Sequence, residues 1–216
     1  MTDAAPWLLV GLGNPGAKYA NNRHNVGFMV LDAWRDRFMP APPWSDKYKA
    51  ELCSISSQVP GGGRCVMIKP QTYMNLSGDS VGQAARFFRT PPEKVLVVHD
   101  ELDFEVGRVA VKKGGGHGGH NGLRDIIQKL GSRDFLRIRV GIGRPQPPFR
   151  GDVADWVLTD FFGDDLITLP DMITRAKEAI DSVMAHGVRE AMNKLNTSNG
   201  SKKKKADKAA DSSPNP

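Results

Sequence analysis

Short, continuous apolar runs alternate with amphipathic stretches along most of the chain. Three of the runs are WLLV, CVMIKP and KVLVVHD, and each has the length and composition of a strand buried on both faces of a sheet. Four stretches carry apolar residues at the three- to four-residue spacing of a helix that packs on one side. They span residues 27–38, 77–88, 123–130 and 169–186. Strands that alternate with helices in this way are typical of an α/β fold.

Three further segments alternate between apolar and polar residues with the period of two that a strand shows. They are KAELCSISS, RVAVKK and FLRIRVGIG. In the last of them Arg137 and Arg139 lie on one face, and the other face is apolar, with Leu136, Ile138, Val140 and Ile142. We predict the first two as antiparallel strands, the first of them at a sheet edge. The predicted fold is a single-domain, three-layer α/β sandwich in which helices flank a mixed, mostly parallel central sheet.

Capping residues indicate where some of these helices begin and end. The serines near residue 77 and Asp79 are placed to cap the helix that starts there, and Asn121 is placed to cap the helix after the glycine-rich segment. Gly131 directly follows that second helix, and glycine is common just beyond a helix C-terminus.

The segment GLGNPG contains a G-x-G-x-x-G pattern directly after an apolar run, as dinucleotide-binding folds do. That fold requires a helix that starts at the third glycine and packs on the first strand. The residues after Gly16 are instead the polar stretch AKYANNRHN, and the acidic residue near the expected distance, Asp32, lies within a predicted helix. The spacing fits and the context does not, so a dinucleotide-dependent oxidoreductase is the weaker interpretation.

The composition is that of a single domain of ordinary polarity. The chain has 216 residues, of which 39% are hydrophobic and 25% charged, and no apolar run approaches the about 20 residues that cross a bilayer. The first ten residues lack the pattern of an export signal, and Cys53 and Cys65 match no metal-ligand spacing. We therefore expect a cytoplasmic protein with reduced thiols.

The C-terminal residues differ from the rest of the chain. We predict that residues 1–197 form the domain and that residues 198–216 are a disordered tail, because the tail is poor in apolar residues. The tail contains five lysines and two aspartates, a net +3 out of the formal net charge of +6. It is either a solvated end without a role or a segment that attracts RNA regardless of sequence.

Polar side chains follow three of the predicted buried strands, at the place where open α/β sheets bind ligands. Asn14 follows the first strand, Asn75 follows the second, and Asp100 ends the third. The glycine-rich segment GGGHGGHNG adds His120 and Asn121. Because amides can donate to a carbonyl oxygen and accept from a hydroxyl without carrying charge, we expect a site for a neutral, polar acyl group.

Four motifs occur in order along the chain: VGLGNPGAKYANNRHNVGF, KPQTYMNLSG, HDELD and GGGHGGHNGLRDI. Together they resemble the bacterial-type peptidyl-tRNA hydrolase family, and the resemblance runs over residues 7 to about 195. The resemblance implies hydrolysis of the ester that joins a peptide to the 3′ end of tRNA, with water as the co-substrate. It also implies a cytoplasmic, monomeric enzyme that uses no metal and no organic cofactor.

The resemblance gives catalytic roles to three residues. His24, in NNRHNVGF, aligns with the family's general base, a role that suits an imidazole with an unperturbed pKa of about 6.5. Asp100 aligns with the carboxylate that orients and stabilises that histidine, as in a hydrolytic triad in which water replaces serine. Asn14 aligns with the residue that distinguishes N-blocked from free aminoacyl esters. His99 is expected, by strand alternation, on the opposite face and outside the site.

Further residues resemble substrate contacts, and each has a structural alternative. Asn75 and Asn121 resemble substrate-binding amides, and either could polarise the scissile carbonyl, although Asn121 is also placed as a helix cap. Tyr19 and Tyr73 resemble positions that contact the tRNA end, where a ring can stack on a base; packing in the core is the alternative. Met74 is either an apolar wall of the site or a core residue.

Basic residues beside the glycine-rich segment are candidates for phosphate contacts. The candidate patch consists of Lys112, Lys113, Arg137 and Arg139. By resemblance, Lys112 and Arg139 match the family's tRNA-facing positions more closely than the other two. His120 is expected to line the site. His117 lies three residues before it, as in some metal sites, but no third ligand with suitable spacing supports one.

An RNA-binding module without catalysis is the competing interpretation from another functional class. The basic strand face and the tail would then bind tRNA in a salt-dependent manner, and the ester would stay intact during a long incubation.

Overall fold

A seven-stranded mixed sheet forms the centre of the fold in the computed structural model, which describes residues 4–56 and 58–196. In chain order the strands are β1 (Trp7–Gly11), β2 (Ser45–Lys47), β3 (Ala50–Ile55), β4 (Cys65–Pro70), β5 (Val95–Glu101), β6 (Val109–Lys113) and β7 (Leu136–Gly141). Their order across the sheet is β2-β3-β4-β1-β5-β7-β6. The central strands β4, β1, β5 and β7 are parallel, whereas β2, β3 and β6 make antiparallel pairs. The predicted sheet is confirmed.

All six predicted strand segments form strands, and one predicted position is wrong. β3 and β6 make antiparallel pairs as predicted, and β6 is an edge strand. β3 is not an edge strand, because β2 pairs with it on its outer side. The three residues of β2 are polar and exposed, so no hydrophobic pattern marks this strand in the sequence.

The helices are α1 (Val26–Arg35), α2 (Ser77–Phe87), α3 (Asn121–Leu130), α4 (Val153–Val157) and α5 (Asp164–His186), and residues 188–196 are also helical. The four predicted helices are confirmed, although α5 begins five residues earlier than predicted and contains Pro170. Gly131 ends α3 with a φ of 66°, the left-handed conformation predicted for it. Within the described residues, no helix combines the length and the hydrophobicity needed to cross a membrane.

The sheet separates two hydrophobic cores, which makes the fold a three-layer sandwich. On one face α1 and α5 pack over inward side chains that include Leu9, Trp34, Leu96, Ile138 and Ile180. On the other face α2 and α3 cover Leu8, Val10, Val81, Val97 and Ile126. The predicted apolar face of β7 lies in the first core, as its alternation requires.

The glycines of GLGNPG serve close packing rather than a dinucleotide turn. A Cβ on Gly11 would lie 2.5 Å from the carbonyl oxygen of Gly27, and a Cβ on Gly27 would lie 2.4 Å from the amide nitrogen of Leu12. These two glycines therefore let α1 approach β1 closely. Two short 3-10 turns, Ala17–Tyr19 and Arg23–Asn25, separate Gly16 from α1, which begins at Val26, so no α-helix starts at the third glycine.

The predicted side-chain cap of α2 is wrong, because the cap comes from another helix. No side chain of the residue before α2 caps it. Instead the amide of Gly78 donates to Oδ2 of Asp125, in α3, at 2.7 Å. Asp79 pairs with Lys49 and Lys129 instead of capping the helix. The predicted disordered tail, residues 198–216, lies outside the described residues.

Candidate active site

A cavity of about 370 Å³ opens at the carboxyl end of β5, at the edge of the sheet where the parallel strands β1 and β4 also end. Its walls come from the turn before α1, the end of β5, the glycine-rich segment 114–120 and α4. Four of the predicted site residues line it: His24, Asp100, His120 and Asn121. The carboxyl ends of parallel strands meet at one edge, which is why residues so far apart in sequence come together.

Asp100 is the centre of the site. Its side chain is buried, and the single oxygen Oδ1 accepts a hydrogen bond from Nδ1 of His24 at 2.9 Å and from Nε2 of His120 at 3.0 Å. The rings of the two histidines lie 5.2 Å apart. A buried carboxylate with two donors on one oxygen is held in one orientation. The predicted pairing of His24 with Asp100 is therefore present in the geometry, and His120 is a second partner that the sequence did not indicate.

The tautomer of His120 follows from its hydrogen bonds. Its Nδ1 caps α3, because it accepts from the amides of Gly122 at 3.1 Å and Leu123 at 3.4 Å. An atom that accepts carries no proton, so the proton of the neutral ring is on Nε2 and is donated to Asp100. The N-cap of α3 is thus His120, and the predicted cap at Asn121 is wrong. Asn121 is the first helical residue and is exposed.

His24 lies in a short 3-10 turn, Arg23–Asn25, that buried side chains hold in place. The fully buried guanidinium of Arg23 donates to Asp165 at 2.6 Å and to the carbonyl oxygen of Ile142 at 3.1 Å, and it lies 4.1 Å from the ring of Trp156. No sequence pattern marks Arg23 as part of the site. Its partners are more than 110 residues away, and nothing in a local pattern signals contacts over that distance.

Burial and charge oppose each other at the two catalytic candidates. Burial lowers the pKa of His24, but the charge and hydrogen bond of Asp100 outweigh it and raise that pKa above 6.5. Burial raises the pKa of Asp100, and the neighbouring His24 and His120 more than compensate, so the pKa lies well below the usual range. Asp100 is therefore ionised at neutral pH, and its charge favours the protonated form of His24.

His99 lies under the site rather than away from it. It is on the α3 side of β5, as alternation predicted, but its ring packs edge-on against that of His120 with centroids 5.1 Å apart. Its Nδ1 donates to the carbonyl oxygen of Asp100 at 2.7 Å. Burial, together with the nearby His120, lowers the pKa of His99 to about 3, so this ring is neutral. The expectation that His99 stands apart from the site is corrected.

Asn14 is fixed by two loops. Its Oδ1 accepts from the amide of Met74 at 2.8 Å, and its backbone exchanges two hydrogen bonds with the side chain of Asn25, each 2.9 Å long. Because Oδ1 is occupied, the remaining polar group of the amide is the Nδ2 donor. Asn14 lines a second cavity of about 280 Å³ beside α1, not the cavity that contains Asp100. Asn25 lies between the two cavities, because it lines the cavity of Asn14 and directly follows His24, which lines the cavity of Asp100.

The other predicted substrate contacts occupy different environments. Tyr73 is 61% exposed, which excludes core packing, and Tyr19 is half-buried with Nζ of Lys18 at 4.7 Å from its ring centre. Asn75 is exposed. Met74 is buried in the core shared with α2 and α3, so of its two alternatives the core position is the correct one.

The four predicted phosphate contacts do not form one patch. Lys112 lies beside Arg137 across β6 and β7, but Arg137 is buried and donates to the carbonyl oxygens of Gly115 and Gly116, each at 2.6 Å. Arg139 pairs with Glu101 at 2.9 Å. Lys113 follows Lys112 on the strand and points to the opposite face. Arg137 therefore holds the glycine-rich segment, which corrects its prediction as a phosphate contact.

His24, Asp100 and His120 are also the one group within the described residues with three potential metal ligands within 4.8 Å of one another. The hydrogen bonds argue against a metal at this place. Both imidazole nitrogens that face Asp100 carry protons, and His120 could offer Nε2 to a metal only by giving up its cap on α3. His24, Asp100 and His120, as they are hydrogen-bonded here, therefore do not fit a bound metal ion.

Comparison with known proteins identifies the family. A family model described as peptidyl-tRNA hydrolase matches residues 8–206. The peptidyl-tRNA hydrolase of Sorangium cellulosum is 46% identical over 195 residues, which cover 88% of this chain and 83% of that protein. The peptidyl-tRNA hydrolase of Pseudarthrobacter chlorophenolicus is 47% identical over 195 residues, covering 90% of this chain and 96% of that protein.

Solved structures agree with the sequence comparison. The crystal structure of peptidyl-tRNA hydrolase from Acinetobacter baumannii matches with a TM-score of 0.79 and 34% identity, over 91% of this chain and 97% of that chain. The same fold and the same family are thus found by sequence and by structure. The chain belongs to the peptidyl-tRNA hydrolase family, and it is a hydrolase that acts on ester bonds.

Proposed function

We propose that the protein hydrolyses the ester bond between a peptide, or an N-blocked amino acid, and the 3′ end of tRNA, which returns free tRNA to translation. The observation that carries the proposal is the buried Asp100, whose one oxygen binds both His24 and His120 at the wall of the cavity. The family supports the substrate, since the relatives are named as peptidyl-tRNA hydrolases.

In the proposed mechanism His24 is the general base. Its Nδ1 donates to Asp100, so Nε2 is the atom that takes a proton from water as the water attacks the ester carbonyl. Asp100 stabilises the imidazolium that forms. The imidazolium then returns the proton to the leaving ribose oxygen, which yields a free carboxylic acid and a tRNA hydroxyl. Water is the co-substrate, and the two side chains perform the proton transfers without a cofactor.

His120 positions Asp100 in this proposal and does not touch the substrate ester. As an Nε2–H donor fixed by the α3 cap, it holds the carboxylate oxygen in line with His24. Because it shares that oxygen, it also weakens the attraction between Asp100 and a protonated His24. A general base must be neutral to act, so this sharing favours the active form near neutral pH.

Uncharged side chains bind the acyl part of the substrate. Asn14, with Oδ1 already bonded to Met74, presents Nδ2 as a donor to the first peptide carbonyl of an N-blocked ester. A free amino acid ester has an ammonium at that place and no acceptor, which accounts for a preference for blocked substrates. Asn75 and Asn121, both exposed near the site, are the further amide contacts.

The tRNA end is proposed to lie over the exposed ring of Tyr73, with Tyr19 as a second stacking position. Lys112 and Arg139 provide charge to the phosphates, although Arg139 must share its guanidinium with Glu101. We also propose that residues 1–197 are the catalytic domain, and that the enzyme acts as a monomer in the cytoplasm.

The decisive experiment follows deacylation of N-blocked and unblocked aminoacyl-tRNA by wild type and by His24→Ala. Wild type should prefer the blocked ester, and His24→Ala should lose activity by about 10³-fold or more while its melting temperature stays close to that of wild type. His186→Ala, at an exposed ring in the last turn of α5, is the matched control and should retain full activity.

Two outcomes contradict the proposal. A folded His24→Ala protein with full activity would remove His24 from the mechanism. An intact ester after long incubation with wild type, combined with salt-sensitive tRNA binding, would support the RNA-binding module instead.

A further inference from the structure

The strand that carries Asp100 loses a neighbour at the site. β1 and β5 are parallel, and just beyond the end of β1 the amide of Leu12 donates to the carbonyl oxygen of Val98 at 3.0 Å. The next bond of a parallel ladder on this side would join the amide of Asn14 to the carbonyl oxygen of Asp100. That amide donates instead to Oδ1 of Asn25 at 2.9 Å. The backbone carbonyl of the central residue of the site therefore needs another donor.

The side chain of His99 supplies that donor. Its Nδ1 donates to the carbonyl oxygen of Asp100 at 2.7 Å, and the residue is only 2% exposed. Because a carbonyl oxygen can only accept, the proton of the neutral ring is on Nδ1, and Nε2 keeps its lone pair. Nε2 is buried and has no hydrogen-bond partner among the described residues. His99 thus satisfies one buried backbone group and leaves one of its own atoms unsatisfied.

The unpaired nitrogen makes histidine an unfavourable residue for packing at this position. The same side of the sheet is otherwise lined by apolar side chains such as Val97, Leu123 and Ile126. A buried acceptor without a donor lowers stability, and an apolar side chain would avoid that loss. Buried unsatisfied polar groups are rare in folded proteins, and a catalytic role is one explanation for them. The imidazole of His99 therefore needs an explanation other than packing.

The groups around His99 keep its ring neutral. Burial lowers the pKa most, the nearby His120 lowers it further, Asp100 raises it, and Arg137 on the neighbouring strand β7 lowers it. The resulting pKa is about 3, so the ring does not exchange a proton near neutral pH. This excludes His99 as an acid or a base and leaves it a role in geometry.

We propose that His99 is a positioning residue for the ester hydrolysis, because its bond to the main chain of Asp100, where β1 has ended, keeps Oδ1 of Asp100 directed at Nδ1 of His24. The carboxylate and the bonded carbonyl belong to one residue, so a shift of that main chain moves Oδ1 away from the base. Small displacements of this kind reduce the rate strongly. The inference rests on the proposed function for the reaction, but the contact itself needs no substrate.

Two substitutions separate the hydrogen bond from packing. His99→Phe keeps a ring of similar size and removes both nitrogens, so it loses the donor to Asp100 together with the unpaired acceptor. His99→Asn keeps an N–H donor near the position of Nδ1, but it removes ring volume and leaves a cavity. The melting temperature of His99→Phe should therefore stay close to that of wild type, and that of His99→Asn should fall by about 5 °C.

The activities should follow the opposite order. His99→Phe should lose about tenfold in kcat with an unchanged KM, because the buried ring offers the substrate almost no surface. The pH at which kcat is half-maximal should move down in this variant, because Asp100 then opposes the burial of His24 less strongly. His99→Asn should keep most of the wild-type kcat and the wild-type pH profile. A role in folding alone would make activity follow the melting temperature.

Ser182→Ala is the matched control. Oγ of Ser182 is also buried and has no hydrogen-bond partner within residues 4–56 and 58–196, but the residue lies in α5 and does not line the active-site cavity. Its loss should change neither kcat nor the pH profile.

NMR titration of the His24 imidazole, which needs no substrate, separates the inference from the proposed function. His99→Phe should lower the pKa of His24 relative to wild type. If wild type hydrolyses no ester but this shift is present, the proposed function fails and the inference stands.

Two results would overturn the inference. One is a His99→Phe protein with the wild-type kcat and an unchanged pKa of His24. The other is activity that falls together with the melting temperature, with His99→Asn the less active of the two variants.

Discussion

The turn that carries His24 and the N-terminus of α3 that carries His120 give the same side chain opposite tasks. Both rings bond to one oxygen of Asp100, at 2.9 and 3.0 Å. The second nitrogen of His120 is occupied by two amides of α3, whereas Nε2 of His24 accepts no hydrogen bond from the described residues. A hydrogen bond to a carboxylate therefore does not by itself make a histidine a general base. The ring can take a proton only if its other nitrogen, the one that does not face the carboxylate, is not already accepting a hydrogen bond.

Removing the shared carboxylate should have the largest effect. Asp100→Asn leaves an amide that can accept through one oxygen only and carries no charge, so the tautomer and the orientation of His24 are no longer fixed. We expect kcat to fall about 10³- to 10⁴-fold, as it does when the acid of a hydrolytic triad is replaced in this way. The pKa of His24 should fall below that of wild type, because burial remains and its opposing charge is gone. Single-turnover deacylation and NMR titration of the imidazole measure the two effects, and a loss below tenfold would contradict the shared role of Asp100.

Removing the buried hydrogen bonds that hold the turn Arg23–Asn25 should have the next largest effect, here on the free energy of unfolding. Arg23→Met keeps most of the side-chain volume but removes the hydrogen bonds to Asp165, Thr159 and Ile142. We expect a loss of about 2–3 kcal/mol in the free energy of unfolding, less than for a fully buried pair because Asp165 is partly exposed and can be hydrated.

The control for this prediction is Arg35→Met, the same substitution at the other end of α1. Arg35 pairs with the exposed Asp36, so its loss should cost less than about 0.5 kcal/mol. Denaturant unfolding measures both variants. Equal costs would mean that the turn carrying His24 does not depend on its buried anchor.

The sequence predicts most of the helices and strands of this molecule well, but it predicts poorly which polar side chains are buried and hold loops in place. Period-two alternation placed the apolar face of β7 in the core, and Gly131 marked the end of α3. Alternation gives the face of a side chain and not its depth, so the sequence predicts Arg137 as a phosphate contact although its side chain is buried and bonded to the glycine-rich segment. The short polar strand β2 has no hydrophobic signal to find.

At the site, the sequence supplied the residues through a family resemblance, and the structure supplied their connections. That Asp100 lies at the end of a buried strand can be read from the chain. That His120, not Asn121, caps α3 cannot, because asparagine is the more common cap and only the position of Asp100 turns the histidine inward. Long-range contacts such as that between Arg23 and Asp165 have no local pattern at all.

A third prediction separates the two hydrogen bonds of His120. His120→Asn keeps a side chain that can cap α3 but is too short to reach Asp100, whereas His120→Ala loses both contacts. We expect both variants to lose about tenfold in kcat at pH 6.5 and to recover towards wild type at high pH, because an unshared Asp100 raises the pKa of His24 further. Only the alanine variant should also lose about 1 kcal/mol of stability, the cost of a missing cap. A pH-independent loss of activity in His120→Asn would show that His120 acts on the substrate and not through Asp100.

The smallest effect we expect is a divergence between stability and activity as the pH rises. The pKa of His24 is raised above 6.5 in the folded protein, so folding favours the protonated ring. This stabilisation is fully present below about pH 6.5 and is lost as the pH rises through the folded pKa. The general base needs the neutral ring, so kcat should rise over the same interval in which the free energy of unfolding falls. Denaturant unfolding and single-turnover rates between pH 6 and 9 measure the two curves, and unfolding of His24→Ala should lack the fall. Stability and activity that rise together through this interval would mean that the group controlling the rate is not the histidine bound to Asp100.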